Sequence, residues 1–399
     1  MSSTRVALVA HSIDAGGGVS VYTQFLHAIL CDSKRYEPEI ISLATSASDS
    51  ASVRVMAPRT WSKGPQVRAG TWRNLPYRHV GAALAEFEFQ RYQPRPVLND
   101  ILSQYDLVQV VGGTPAWGWV ASQVKRPLCV FTATTVKEDR ASRLRKENGL
   151  RGWWLRAMTR LNVRIENQVL QRADVVFAES HYTYDNLKGT VSQERLVLAK
   201  PGVDTEFFRP SGPGRKAYIL AVGLFSDPRK NVRLLFEAYK RLCIRNSAAP
   251  DLVLAGTPPA PEDMGYLATL GIDEKIKLRK HPSQEELADL YRNAQLFVLS
   301  SDEEGLGIVI LEAMASGLPV VSTDCGGPKT AVIEGETGFL TPVRDAEALA
   351  DRMQHVLDDP ELRQRMGQAG RQVIEEKFSL QVAGRVYLDK YDELLMNHK

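Results

Sequence analysis

Residues Ser300 to Gly327 read SSDEEGLGIVILEAMASGLPVVSTDCGG. The run follows a short apolar segment, Leu296–Leu299, and leads into strong helix formers from Ile310 to Ala315. Gly305 and Gly307 break the backbone before them. This order predicts a strand, a glycine turn and a helix whose free N–H groups begin near Gly307 and Ile308. Such a terminus attracts phosphate through unpaired amides and the helix dipole. Glu312 follows about five residues later, roughly 7–8 Å along the axis at about 1.5 Å per residue, and its side chain leans back toward the helix start. A carboxylate there can accept hydrogen bonds from two ribose hydroxyls while a diphosphate occupies the turn. Glu304, on the loop before the helix, then lies near the group beyond the diphosphate. Paired glutamates are most often solvated, but these flank Gly-x-Gly at a strand-to-helix junction. A second glycine pair, Gly326 and Gly327, follows the next apolar run. The pattern fits a nucleotide-sugar.

The rest of the chain repeats the strand-then-helix pattern of parallel sheets. Strands are predicted at Arg5–Ala10, Ile40–Leu43, Leu107–Val111, Leu128–Phe131, Val175–Ala178 and Leu196–Ala199. A second series runs through Tyr218–Val222, Leu252–Ala255, Ile276–Arg279, Leu296–Leu299 and Val320–Ser322. Between them lies RPSGPGRK, Arg209 to Lys216, a linker by composition. With 399 residues the chain exceeds the roughly 250–300 that one core serves. We expect an α/β protein of two Rossmann-like, doubly wound domains facing a central cleft, where ligands sit beyond the carboxyl ends of the strands. The expected divisions are 1–208, a linker at 209–216, 217–377, and a terminal helix at 378–399. The periodicity of that helix allows packing on its own domain or, as we expect, a crossing back to the first.

Composition narrows the function. Lys+Arg 50 against Asp+Glu 47 gives a net charge of +3, too little to argue for nucleic acid. No apolar run approaches the roughly 20 residues of a membrane span. RVALVA is shorter than a signal-peptide core and runs into a glycine loop, so it reads as a first strand. Four scattered cysteines without a Cys-x-x-Cys pair suggest a reduced, cytoplasmic compartment. No Asp-x-Asp occurs and no two histidines lie four apart, so no metal site is expected. In DAGGGVSVY, Gly16, Gly17 and Gly18 let backbone approach a phosphate or sugar. The third glycine of a dinucleotide fingerprint would fall at Val21, which argues against a nicotinamide enzyme.

EGLGIVILEAMASGLPVVSTDCGGP resembles the Glu-x7-Glu signature of glycosyltransferase family 4, retaining enzymes of the GT-B fold. PGVDTEFFRP (Pro201 to Pro210), AVGLFSDPRKNVRLLFEAY, SQEELADLYRNAQLFVLSS and EGETGFLTP are similar to other family segments, so the resemblance covers nearly the whole chain. It implies a hexosyl-type glycosyltransferase moving a sugar from a nucleoside diphosphate sugar to an acceptor hydroxyl with an α linkage, as in polysaccharide, glycolipid or glycosylated-metabolite synthesis. The acceptor would be a glycan, a lipid-linked glycan or a small metabolite, held by the first domain, with the nucleotide on the second. No metal or further cofactor, and no nucleic acid, is implied. By this resemblance Glu312 binds ribose and Glu304 contacts the sugar near the reacting centre. Gly305, Gly307 and Ile308 flank the phosphates. Lys230 neutralises the leaving diphosphate with Arg229 beside it, Gly17 and Gly18 lie next to the donor diphosphate, and the backbone around His281 and Pro282 meets the base.

Two departures stand out. Leu224 occupies a place where the family usually carries arginine. Phe131, Thr132, Ala133 and Thr134 stand where many members have a histidine, leaving Thr132, Thr134 and Lys137 as alternatives for lining the site. Ser180 matches a family serine or caps a helix, while His11 and His181 fit structural roles. A non-catalytic nucleotide-sugar or glycan binder of the same fold, or a nucleotide-sugar epimerase, are the rival readings. Finally, Arg143 to Arg164 reads RLRKENGLRGWWLRAMTRLNVR. Such a basic amphipathic helix either makes peripheral contact with the anionic inner face of a membrane or turns its tryptophans to the core and its arginines to water. The second arrangement is the one we expect. Trp117 and Trp119, after a strand, stack on an acceptor or fill the core.

Overall fold

The computed structural model describes residues 3–11, 13, 17–211 and 218–397. The chain divides into two compact units, the first comprising 1–201 with 384–399 and the second 202–383. The division falls ahead of the Pro/Gly-rich stretch because PGVDTEFFRP packs with the second unit: the Val203 N–H donates to the Phe378 carbonyl (2.8 Å) and Phe208 lies in that unit's core. Of the expected linker, residues 212–216 lie outside the described residues, as does Gly16.

Unit 1 holds β1 (Thr4–His11), α1 (Gly18–Asp32), β2 (Tyr36–Leu43), β3 (Val67–Trp72), β4 (Leu75–Val80), α2 (Glu88–Arg91), α3 (Pro96–Leu102) and β5 (Leu107–Gly112). It continues through β6 (Leu128–Thr132), α4 (Val136–Lys146), α5 (Gly149–Arg172), β7 (Val175–Ala178), α6 (His181–Leu187) and β8 (Leu196–Leu198). The sheet order is β3-β4-β2-β1-β5-β6-β7-β8, parallel except for the β3–β4 pair. Apart from the β3–β4 hairpin, whose second strand is the inner one, chain order runs outward in both directions from the β1–β5 pair, the switch point of a doubly wound sheet. Val6 to Ala10 and all of β5 are buried, as expected of parallel strands covered on both faces. The β3–β4 hairpin is absent from the sequence reading. Its turn, Arg73-Asn74, has φ of 47° and 64° at the two central residues. Asn-Gly or Asp-Gly is the usual signal for that geometry, so an Arg-Asn turn leaves little trace.

Unit 2 holds β9 (Tyr218–Leu224), α7 (Val232–Arg245), β10 (Asp251–Thr257), α8 (Pro261–Leu270), β11 (Ile276–Lys280), α9 (Gln284–Asn293) and β12 (Leu296–Leu299). Then come α10 (Ile308–Ala315), β13 (Val320–Thr323), β14 (Gly338–Thr341), α11 (Ala346–Asp358) and α12 (Pro360–Lys377). Its six strands run β11-β10-β9-β12-β13-β14, all parallel, the Rossmann order with its switch point between β9 and β12. Strand β14, unassigned in the sequence reading, begins at Gly338, where a Cβ would stand 2.1 Å from the Val320 carbonyl oxygen of β13.

The last helix, α13 (Leu380–Asn397), begins in unit 2 and from Gly384 onward belongs to unit 1. There Tyr387 and Tyr391 are fully buried. Tyr387 donates to the Ala199 carbonyl at 3.0 Å, and Tyr391 donates to Oε1 of buried Gln109 on β5 at 2.6 Å. A Tyr391→Phe variant leaves that amide oxygen without its donor inside the core. We expect a loss of about 1–3 kcal/mol, read as a lower urea midpoint for the unit 1 transition; an unchanged midpoint contradicts the assignment.

Candidate functional site

The chemistry-bearing residues of unit 2 gather on the loops after β9 and β12, the two strands at its switch point. Beyond β12 the chain crosses Ser300 to Gly307 and enters α10. Gly307, at the N-cap, has φ 88° and ψ 73°, a left-handed conformation natural to glycine. The loop is seated by Gly327, whose N–H donates to the Glu304 carbonyl at 3.1 Å. A Cβ on Gly327 would come within 2.3 Å of the Gly305 oxygen, so the two backbones touch where no side chain fits. The Ile310 N–H turns back onto the Gly307 carbonyl at 2.8 Å, while the first amides of α10, at Ile308 and Val309, have no intrahelical acceptor and carry the positive end of the helix dipole.

One turn further along α10, Glu312 is only 5% exposed. It accepts a hydrogen bond on Oε2 from the Tyr291 hydroxyl of α9 at 2.8 Å. Burial, joined by the charge and hydrogen bond of Glu312, pushes the Tyr291 phenol well up, so it is a donor at neutral pH. Sequence reasoning missed Tyr291. It stands 21 residues from Glu312 with no local spacing to connect them, and only the buried face of α9, Ala288 and Tyr291, hints at its direction.

Lys230 lies on the loop after β9. Its ammonium donates to Oε1 of Glu304 at 2.5 Å, and Ser301 Oγ donates to the same oxygen at 2.5 Å. Both groups are largely buried. Gly223, on β9, lies beside the Lys230 stem, where a Cβ would stand in ordinary contact at 3.7 Å. The loop is pinned to the β12 side by Asp302. Its N–H donates to the Arg229 carbonyl at 2.7 Å, and its carboxylate accepts from Asn231 Nδ2 at 2.9 Å and from Arg344 at 2.7 Å. Ser300 Oγ adds a bond to the Lys230 carbonyl at 3.0 Å. Asn231 is left-handed, φ 42°, a conformation asparagine tolerates better than most.

Arg229 is turned onto its own loop. It pairs with Asp227 at 2.8 Å; burial raises that carboxyl, but hydrogen bonds and charge from Arg229 outweigh it and hold the group below its usual range. Leu224 has an exposed side chain. His281 is exposed and left-handed (φ 47°), and its N–H is spent on the Gly256 carbonyl at 3.0 Å. Gly256 also borders a shallow crevice of about 140 Å³, counting space open to solvent, lined by Phe225, Thr257, Leu278 and Lys280.

In unit 1, Gly17 caps α1 with φ 97°, and Gly18 begins the helix. His11, at the end of β1, stacks on Trp117 with ring centroids 4.3 Å apart and accepts from the Gly113 N–H at 3.3 Å. Burial pushes its imidazole down to about 4, so it is neutral. Trp117 itself is core, and Trp119 donates to Gln93. Thr132 folds onto its own turn, donating to the Thr134 carbonyl at 2.7 Å. Ser180 caps α6 by accepting from the Thr183 N–H.

The expectation for residues 143–164 is overturned. The helix breaks at Gly149, φ 64°, dividing α4 from α5, and Trp153 and Trp154 face solvent. The buried face of α5 is small or polar at Gly152, Thr159, Asn162 and Glu166 and apolar only toward its end, at Ile165, Val169 and Leu170. Gly152 is needed because the Glu147 carbonyl crosses it, 2.4 Å from where a Cβ would sit. Glu166 accepts the Val136 N–H at 2.8 Å, and burial raises its carboxyl to about 7. Among the described residues no group of three or more His, Cys, Asp or Glu is placed to hold a metal ion.

Comparison with known proteins matches residues 203–373 to the family described as Glycosyl transferases group 1 and residues 16–207 to Glycosyltransferase Family 4. A protein of Streptomyces avermitilis named D-inositol 3-phosphate glycosyltransferase is 30% identical, the match covering 96% of this chain and 84% of that one. Among solved structures, sucrose-phosphate synthase from Thermosynechococcus elongatus superposes with a TM-score of 0.77 at 21% identity, covering 99% of this chain and 100% of that one. Anabaena HepE in complex with UDP and glucose superposes with a TM-score of 0.71 at 14% identity, covering 98% and 100%. These likenesses establish the GT-B fold.

Two outcomes follow from the geometry. Replacing Gly327 by alanine displaces the loop of Glu304, and we expect ligand response at this site to fall while the circular dichroism spectrum stays that of the wild type. His11 takes up a proton near 6.5 when unfolded but only near 4 when folded. Stability from this residue is therefore full above pH 6.5 and is lost as pH falls toward 4. The loss is about 2 kcal/mol by pH 5. A His11→Gln variant should show a correspondingly smaller drop in Tm between pH 7 and pH 5.

Proposed function

This chain belongs to the group 1, family 4 glycosyltransferases, and from that premise we propose that it moves a hexosyl group from a nucleoside diphosphate sugar to an acceptor hydroxyl with retention, forming an α-glycosidic bond. One observation carries the reading: at the switch point of unit 2, the amide end of α10, the buried Glu312 carboxylate and the Lys230–Glu304 pair occur together. Glu312 lies about 6 Å along the axis from Ile308, a separation suited to a ribose and its adjoining diphosphate.

In the proposed reaction, amides of Gly307 and Ile308 hold the diphosphate. The bond from the anomeric carbon to the diphosphate oxygen breaks, and negative charge builds on that oxygen. The Lys230 ammonium and the helix dipole stabilise it, charge being worth most where donors are fixed in place. Glu304, with Oε1 engaged by Lys230 and Ser301, uses Oε2 to hold a sugar hydroxyl. The departing phosphate oxygen takes the acceptor proton on the same face of the sugar, which keeps the configuration. The diphosphate is neutralised here by Lys230 and amides, with no metal assigned. His281 and Pro282 border the base, and acceptor selection falls to unit 1, with Gly17 and Gly18 opening its first helix. The HepE complex with UDP and the name of the Streptomyces relative make uridine donors and phosphorylated polyol acceptors the first to screen. We infer a role in glycan, glycolipid or glycosylated-metabolite synthesis in the cytoplasm.

Leu224 and the Arg229–Asp227 pair favour a second reading, a nucleotide-sugar binder without turnover. Release of free nucleoside diphosphate separates the two. We expect one of UDP-, GDP- or ADP-sugars to raise Tm and to release its diphosphate in the presence of EDTA. Glu312→Ala should raise donor KM with kcat little changed, and Tyr291→Phe should do the same more mildly, by about tenfold. Lys230→Ala should lower kcat by about a hundredfold or more. Unchanged donor affinity in Glu312→Ala refutes the ribose assignment.

A further inference from the structure

Helix α5 is inverted over its first turns for a surface helix. Its inward face there holds Gly152, Thr159 and Asn162, with Ile165, Glu166, Val169 and Leu170 buried further along. Its outward face carries Leu150, Trp153, Trp154, Ala157 and Met158, the i, i+3, i+4, i+7, i+8 spacing of an apolar stripe. Leu150 is 88% exposed, Trp153 64% and Trp154 51%. The corner at Gly149 brings Leu150 to the tip of the α4–α5 pair. Arg151 flanks the stripe on one side and Arg156, Arg160 and Arg164 on the other, and all four are exposed. Residues 143–164 contain seven Lys or Arg against one Glu, in a chain whose net charge is only +3.

We propose that the first three turns of α5, with the corner before them, seat this protein on an anionic lipid bilayer. The inference goes beyond the reaction above and does not depend on it. Charge complementarity selects the occupant. A helix with tryptophan and leucine on one side and arginines along both borders lies in the plane of the headgroups, its apolar side toward the acyl chains and its guanidinium groups on the phosphates. Tryptophan favours that depth because its ring is apolar and its N–H is polar. A purely electrostatic polyanion partner needs the arginines but gains nothing from a continuous apolar stripe between them. No helix among the described residues is long and apolar enough to cross a membrane, so the contact is one of surface.

The test is co-sedimentation of the full chain with phosphatidylcholine vesicles prepared with and without phosphatidylglycerol, at low and high salt, alongside tryptophan emission. We expect pelleting with phosphatidylglycerol only, a blue shift of the emission, and release by salt. The pair Trp153→Ser and Trp154→Ser, both at exposed positions, should keep the wild-type Tm and lose about tenfold or more of the partition coefficient. Changing Arg151, Arg156 and Arg160 to glutamine should cost about fivefold each and abolish the preference for phosphatidylglycerol. Failure to pellet at low salt overturns the proposal. Undiminished pelleting of the tryptophan variant overturns it, as does binding to polyuridylate in preference to vesicles. A monomer–dimer equilibrium that the tryptophan variant abolishes, with no lipid binding by either protein, makes the face a contact between copies. None of these readouts involves sugar transfer, so they stand or fall apart from the proposed reaction.

Discussion

The site in unit 2 depends on a contact between two stretches of backbone. Gly327 lies against Gly305, and nothing larger than hydrogen fits between them. That approach sets the height of the loop carrying Glu304, and the left-handed Gly307 then aims α10 so that its amide end opens where the loop finishes. Side chains fill in around this arrangement: Asp302 ties the β9 loop to it, which fixes Lys230 on Glu304. A charged pair of this kind, largely out of water, keeps its geometry only while both loops are held. The glycines do that holding, and without their close fit the ionisable groups would be separate loop residues.

Much of this was legible in the sequence. Apolar runs such as Val6–Ala10 and Leu296–Leu299 announced buried parallel strands because both faces of such strands are covered. Glu304, Gly307 and Glu312 could be placed because strand, turn and helix follow one another locally, so spacing translates into distance. Tyr291 and Asp302 could not, since their roles arise from packing of segments far apart in the chain. The β3–β4 hairpin escaped because its turn uses Arg73 and Asn74, and β14 because Gly338 and Thr341 leave only Phe339 and Leu340 as an apolar run.

Residues 143–164 failed for a different reason. Periodicity shows that a helix has two unlike faces but not which one is turned inward. The rule that apolar residues go inside decided wrongly for Trp153 and Trp154, because the first turns of α5 bury glycine, threonine and asparagine, and apolar residues enter the core only from Ile165 onward. That interior is costly in its own terms: Asn162 is buried with both amide atoms unpaired among the described residues, and burial raises the Glu166 carboxyl to about 7. Exposed tryptophans over such a face indicate a constraint from outside the fold.

The final helix has a consequence for how the protein is made. Unit 2 is one unbroken segment, 202–383, whereas unit 1 takes its last sixteen residues, 384–399, from the far end of the chain. Tyr387 and Tyr391 therefore reach their places in the first core only after the whole of the second has been synthesised. At about 5–20 residues per second, unit 1 waits on the order of ten to forty seconds with an unsealed hydrophobic wall. The part of the polypeptide that emerges first is the last to be completed, and during that interval its apolar surface is open to non-native contacts.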